Sequence, residues 1–567
     1  ISECLVGSEM CIRDRSLIMR KNIFNRSTLT AICLSLVMSA CSDSFLDIQP
    51  QDKPGSDNFL NNLSSAQELV VASFNPWVAQ TQMYGKRFAT ICDALTDDGG
   101  LRLNGNDLIQ VLDWNITPSL NYPTDWWKYS YQSVNAANYA IQEIPKLKNK
   151  GFTDSEINPY IAVARFMRAF NYMFLTTFYG DVPLITAPLS SFDEFSQPRT
   201  PVSEIYQKII EDFSFAKENL TRDGNGYTGM PTRATGAAYL AKAYLYNKDF
   251  VNAEQAAREA IQIAESDGYY LIDDYESIFS IDNEQNPELL FYFAFERNSG
   301  LWEQDFCVER NVRDLPTELK YIQGGDGWGY CLPTRSLYDA YETNDPRREY
   351  TLYYQGSVFG TYTPSTPLTL DYHSYDSDGN QTAIPITYNT GDKVIYDYKW
   401  SPTGLNVKKL TEDLTGLTNV RYAGLDWPAM RMADLYLFLA EALAEQGKDE
   451  ALVWVNKVRS RPSVNMPPKS TADGDLVDIV RHERRVELAM EGERIFDLLR
   501  WDAVKDVFGD GKQIKLHFYS DYLPETSSDK FKTVPGLTKY PTDHILFPIP
   551  QYEMDQNKAI IENNPGY

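Results

Sequence analysis

The sequence predicts a mainly α-helical protein: a scaffold of tetratricopeptide-like helical pairs carrying a large, irregular, aromatic-rich insertion that contains short strands. Three observations carry this reading. Leu240, Ala241 and Tyr244 precede the polar turn Asn247-Lys248-Asp249, and Ala253, Ala257 and Ala260 follow it at helical spacing. Small residues belong where two antiparallel helices touch, because larger ones would force the pair apart. The same arrangement returns from Met432 through Leu435, Leu439, Ala440 and Leu443, turns at Gln446-Gly447-Lys448, and resumes with Ala451, Trp454, Val455 and Val458. Between Gly300 and Met430 the helical period gives way to Gly, Pro, Asn and Thr. That segment nevertheless holds 14 of the 37 tyrosines and 4 of the 10 tryptophans, a concentration expected of ordered rather than disordered chain.

Taken in order, residues 1–18 read as an extraneous leader before Met19. Residues 19–40 read as a secretory signal: Arg20, Lys21 and Arg26, then an uncharged run from Thr28 to Ala40, too short to span a bilayer permanently. Ser39 and Ala40 directly before Cys41 resemble a bacterial lipoprotein cleavage site. Cys41 is therefore the expected lipidation site, with several acyl chains giving stable anchoring. Ser42-Asp43-Ser44 behind it resembles the signal that sends such lipoproteins to the outer face of the outer membrane. Residues 41–298 form the first helical region, with helices expected over Ser64 to Gln82, Trp126 to Leu147, Asn158 to Tyr179 and Pro201 to Leu220. Residues 299–430 form the insertion, with a strand expected over Lys393 to Trp400, and 431–567 close the scaffold.

The formal net charge is −25, from 78 acidic against 53 basic residues, and no basic stripe is present. A nucleic-acid partner is therefore excluded, since a phosphate polymer needs one. His373, His482, His517 and His544 are too scattered for a zinc site. Beyond Cys41 only Cys92, Cys307 and Cys331 remain; Cys307 and Cys331 either pair or stand as two buried thiols.

The stretch Asp475 to Trp501 reads as one helix containing Glu483-Arg484-Arg485, Glu487-Leu488, Glu491-Gly492, Arg494, Asp497-Leu498 and Arg500-Trp501. Arg484, Glu487, Glu491 and Arg494 fall three or four residues apart and predict an ion-pair ladder along one face. A glycosidase would use two such carboxylates as acid and base. An arginine close to each favours the ionised form instead, which opposes the raised pKa of a general acid.

With the lipoprotein signal, the Arg165 to Pro183 segment and the ending from His544 to Tyr567, this helix resembles the RagB/SusD family of outer-membrane nutrient-binding lipoproteins. The resemblance covers essentially the whole mature chain. It implies a tetratricopeptide-containing α-fold that binds oligosaccharide, or in some members peptide, at the cell surface. It also implies a partner, a SusC-like TonB-dependent transporter on which the protein sits as a lid, and no catalysis. The family's glycan-contacting positions lie outside its shared motif, so site residues are chosen here from chemistry. Sugars pack their C–H faces on aromatic rings and bond their hydroxyls to fixed polar groups. Two stretches offer that mixture: Asp98, Arg102 and Asn104 in a polar loop, and Trp302, Arg313, Trp328 and Tyr330 in the insertion.

No cofactor is expected. Asp376-Ser377-Asp378-Gly379-Asn380 has the oxygen ligands and glycine of a calcium loop, but its twelfth position is Thr387 instead of glutamate, which favours a solvated turn over bound calcium. Asp97-Asp98 as a cation holder has no better support. The leading function is capture of oligosaccharide for a transporter. A peptide-capturing member, a surface glycoside hydrolase and a purely structural adaptor are the competitors, the last disfavoured because an adaptor needs no aromatic insertion.

Overall fold

A computed structural model describes residues 59–79, 83, 87–102, 110–111, 114–189, 192–300, 304–375, 381–508 and 545–567. Cys41 and the signal before it, Asn104, Trp302, the Asp376 to Asn380 loop, His517 and His544 lie outside the described residues.

Helix formation follows local chemistry. Helices α1 (Leu63–Val71), α2 (Phe88–Ala94), α3 (Asn121–Glu143), α4 (Asp154–Tyr179), α5 (Val202–Asn219), α6 (Arg233–Tyr246) and α7 (Phe250–Asp267) precede the insertion. After it come α8 (Met432–Ala444), α9 (Ala451–Arg459), α10 (Leu476–Glu487) and α11 (Arg494–Arg500). The Thr153 backbone N–H and hydroxyl both donate to Glu156 at the start of α4, a capping box. Thr232 and Thr235 form another at α6. Asp249 caps α7 by accepting from Asn252 N–H at 3.2 Å. Pro76 sits within the single turn Asn75–Val78, so the helix expected over Ser64 to Gln82 is split.

Consecutive helices pack as neighbours from α3 through α7. The next neighbour of α7 is α8, which then packs on α9 and α10. The solenoid therefore reads through the insertion as though it were absent. Alanines do the work expected of them: Ala237, Ala241, Ala253, Ala257 and Ala260 are all buried between α6, α7 and their neighbours. Gly236 shows how close the approach is, since a Cβ there would fall 2.8 Å from the Lys217 nitrogen of α5.

Among the described residues the strands form five two-stranded antiparallel pairs. The strands labelled here are β1 (Gly99–Leu101), β2 (Leu289–Phe293), β3 (Cys331–Pro333), β4 (Leu368–Tyr375), β5 (Gln381–Tyr388) and β6 (Trp427–Arg431). β2 pairs with β6, Trp427 opposite Phe293 and Arg431 opposite Leu289, which closes the insertion at its neck. β4 and β5, eight residues each, pair antiparallel within it. Lys393–Ile395 is a strand as expected, but Tyr398–Trp400 is a 3-10 turn capped by Asp397. The segments 60–567 form one compact unit. Among the described residues no helix is long and apolar enough to cross a membrane.

The expected single helix from Asp475 to Trp501 is two. The chain breaks after Glu487, with Met490 at φ 61° and Gly492 at φ 78°. Freed backbone groups there find charged partners. Lys409 Nζ donates to the carbonyls of Glu487 and Ala489, Arg310 donates to that of Met490, and Gly492 N–H donates to Asp93. The expected ladder along one face is likewise replaced, because its members pair with other elements. Glu487 takes Arg431, Arg461 and Arg347; Glu491 takes Arg431 and Lys409; Arg484 takes Asp434 and Asp497; Arg494 takes Asp97. Side chains buried in this way are too crowded by other chain segments to bond along their own helix.

Candidate functional site: a ring-lined surface at the β1–β3 pair

β1 and β3 bring together segments far apart in sequence, Gly99 opposite Pro333 and Leu101 opposite Cys331. Just beyond the pair, Arg102 N–H donates to Tyr330 O at 2.9 Å and Arg102 Nε to Gly329 O at 3.3 Å. The turn holding both aromatics is fixed by its backbone: Trp328 N–H donates to Val308 O, Gly329 N–H to Asn311 O and Tyr330 N–H to Glu309 O. Gly329 adopts φ 57°, and a Cβ on it would fall 3.0 Å from that of Arg313. Arg313 therefore lies directly over this turn.

Trp328 and Tyr330 stand 5.8 Å apart at 59°. Trp328 is half-buried, Tyr330 is buried beneath it and Arg313 is exposed. Arg102 pairs with Asp314 at the rim. The Arg87 guanidinium lies 4.6 Å from the Tyr330 ring centre and donates to Glu309 at 2.5 Å. Burial, with Asp305 nearby, pushes the Glu309 carboxyl up to about 7 against the pull of Arg87. The result is an aromatic step with guanidinium groups around it and one carboxylate at the edge, suited to a ligand with an apolar face and hydroxyl edges.

Of the sequence-chosen residues, Arg102, Arg313, Trp328 and Tyr330 come together. Asp98 does not join them. It is 1% exposed and accepts from Arg485 Nε at 2.7 Å, while its neighbour Asp97 accepts from Arg494. The bend before β1 turns Asp98 inward, where burial raises its pKa. Burial acts the same way on Asp97, but Arg485 and Arg494 outweigh it and hold that carboxyl low. These two carboxylates tie β1 to α10 and α11. Arg87 and Asp314 were missed: Asp314 stands beside Arg313 in sequence and was open to inspection, whereas nothing near Arg87 signals a ring 243 positions away.

The Glu487 and Glu491 carboxylates are buried. Burial would raise both, yet Arg431, Arg461 and Arg347 pull Glu487 far below the ordinary carboxylate range, and Arg431 with Lys409 lowers Glu491. Cys92, Cys307 and Cys331 are all buried free thiols. Among the described residues no group of three or more His, Cys, Asp or Glu side chains is placed to hold a metal ion.

Two sequence profiles match. One, the SusD family, covers residues 288–567; the other, described as starch-binding associating with outer membrane, covers 44–245. The chain belongs to the SusD family. Among SusD-family relatives, SusD-like protein P2 of Formosa agariphila is 25% identical over 95% of this chain and 99% of its own. A SusD-like carbohydrate binding protein from Bacteroides fragilis superposes with a TM-score of 0.68 at 22% identity, over 88% of this chain and 99% of that one. A laminarin binding SusD-like protein superposes at 0.65 and 23% identity, over 89% and 100%. Likeness at this identity establishes the SusD fold.

Proposed function

We propose that this protein is a non-catalytic carbohydrate-binding lipoprotein of the outer membrane. Tethered through Cys41 and facing outward, it captures oligosaccharide on the Trp328 surface and passes it to a SusC-like TonB-dependent transporter. One observation carries the reading: four of the seven residues picked from sugar-binding chemistry, Arg102, Arg313, Trp328 and Tyr330, come together, with the Arg102 N–H donating to Tyr330 O across the sequence. Relatives with starch- and laminarin-binding descriptions support the carbohydrate class. The enclosure and low pKa of Glu487 and Glu491 support binding without cleavage, since neither carboxylate is a proton donor at neutral pH.

A polysaccharide panel tests it, with retention and new reducing ends measured together. Trp328→Ala is expected to weaken retention roughly tenfold, the scale of one lost aromatic anchor, with unchanged thermal unfolding. New reducing ends would overturn the non-catalytic role, and retention of cationic peptides in place of every glycan would replace sugar by peptide. Cys41→Ser should release the protein from the membrane fraction.

A further inference from the structure

Where α7 ends, the chain borders two clefts that share a ring. The first, about 390 Å³, is walled by Tyr269 and Tyr270, by Tyr436 of α8 and by Lys457, with Glu265 among its lining residues. The second, about 310 Å³, is walled by Tyr227 on the approach to α6, by β2 and again by Tyr269. Both volumes fall within the roughly 300–1,000 Å³ usual for small-ligand sites. The Tyr269 hydroxyl lies 3.4 Å from that of Thr232, so this ring stands at the junction of the clefts. Neither cleft shares a residue with the Trp328 surface.

The backbone here is set. Gly268 ends α7 at φ 97°, and the Tyr270 N–H donates to Pro287 O at 3.0 Å. Two of the rings are displayed: Tyr270 is 55% exposed and Tyr227 46%. One exposed ring on a surface carries no message. Two of them lining adjoining clefts, with a third ring between, form a stacking track.

Polar groups beside the track are held in place. Glu265 accepts from the Tyr436 hydroxyl at 2.9 Å and from Lys457 at 3.0 Å, and the Lys457 ammonium lies 4.1 Å from the Tyr436 ring centre. Arg461 lines the first cleft as well; its side chain is buried, its outer nitrogens are committed to Glu288, Glu487 and Ile272, and its Nε has no hydrogen-bond partner. Glu265 and Lys457 cancel in charge, which disfavours an anion or a cation and suits a neutral ligand rich in hydroxyls. The geometry points to a second carbohydrate-binding groove on the helical scaffold, taking a neutral oligosaccharide. Its C–H faces pack on Tyr270 and Tyr227, while its hydroxyls donate to Glu265 and accept from Lys457. This rests on the carbohydrate reading above but not on the Trp328 surface.

The test is affinity electrophoresis of the full chain in native gels containing laminarin, soluble starch, dextran or mannan. Wild type is compared with Trp328→Ala, with the double variant Tyr227→Ala/Tyr270→Ala, with the triple variant and with Tyr270→Phe, after thermal melts confirm folding. The double variant should lose roughly threefold or more of the retardation, Tyr270→Phe should keep it, and the triple should lose more than either parent. Wild-type retardation of the double variant, with loss in Trp328→Ala, removes the groove and leaves the first site standing. Loss in the double variant alone keeps the groove and removes the Trp328 site. A wild type retarded by none of the four polysaccharides overturns the groove and the carbohydrate reading together.

Discussion

Two regions of this molecule are built from arginine, carboxylate and aromatic side chains, and they do opposite things. Around α10 and α11, Arg347, Arg431, Arg461 and Arg484 are fully enclosed, and each guanidinium bonds to carboxylates from other elements. At the β1–β3 pair, Arg313 is exposed and Arg102 is open at a rim. The first region spends its charge holding the neck and the insertion to the solenoid; the second leaves its charge to face solvent. Chemistry of the same kind is structural or receptive according to how completely the chain surrounds it.

The sharpest way to break that contrast is Glu487→Ala. It strips a partner from three buried guanidiniums and should cost about 3–5 kcal/mol, as removal of one member of a buried ion pair does, read as a lower denaturant midpoint. A loss below 1 kcal/mol would mean the region is not sealed. The same carboxylate makes a pH statement. Its folded pKa is depressed, so its stabilisation is present above the unfolded value near 4.3 and is lost as pH falls below that. Acid unfolding of wild type should therefore be steeper than that of Glu487→Gln.

Smaller effects sharpen the boundary. Asp98→Asn keeps an acceptor for Arg485 and removes a charge that burial disfavours, so stability should change by under about 1 kcal/mol, with ligand retention unchanged. Lost retention at full stability would return Asp98 to the binding surface. Asp426, on the neck, has a pKa raised to about 8 by burial and by Glu284. A raised carboxyl loses stability as pH climbs from its unfolded value towards 8, so Asp426→Asn should be the more stable protein, by a margin that grows with pH and levels off above about 8. Smallest of all, Arg102→Ala should alter stability by under about 1 kcal/mol, because its ion pair with Asp314 is at the rim, while still weakening ligand retention.

The helical scaffold was legible because its signal is local. Alanines on α6 and α7 are spaced by the helix repeat, whereas the cap at Thr153 and Glu156 starts α4 at Asp154, four residues before the expected Asn158. The candidate surface was half legible. Trp328 and Tyr330 announce themselves by type, but their meeting with Arg102 depends on strand pairing across more than 200 residues, and Arg87 depends on it again. Asp98 misled because a polar loop in sequence gives no sign that the bend before β1 will turn both of its carboxylates inward. Reading Asp475 to Trp501 as one continuous helix failed for a related reason. Periodicity carries across Gly492, whereas the partners that make a break affordable, Lys409, Arg310 and Asp93, are contributed by other segments.

The β2–β6 ribbon has an architectural consequence. It sets the departure and return of the insertion side by side, so what hangs beyond it can be exchanged like a cassette while the helices on either hand stay in register. Glu288 beside the ribbon and Arg431 at its end bond to each other at 3.0 Å, and together with Arg310, Arg347 and Lys409 of the insertion, which bond to the break between α10 and α11 and to Glu487, they are the joints such an exchange must preserve. A chimera cut just inside that pair and keeping those three should change ligand preference at the Trp328 surface on this protein's frame.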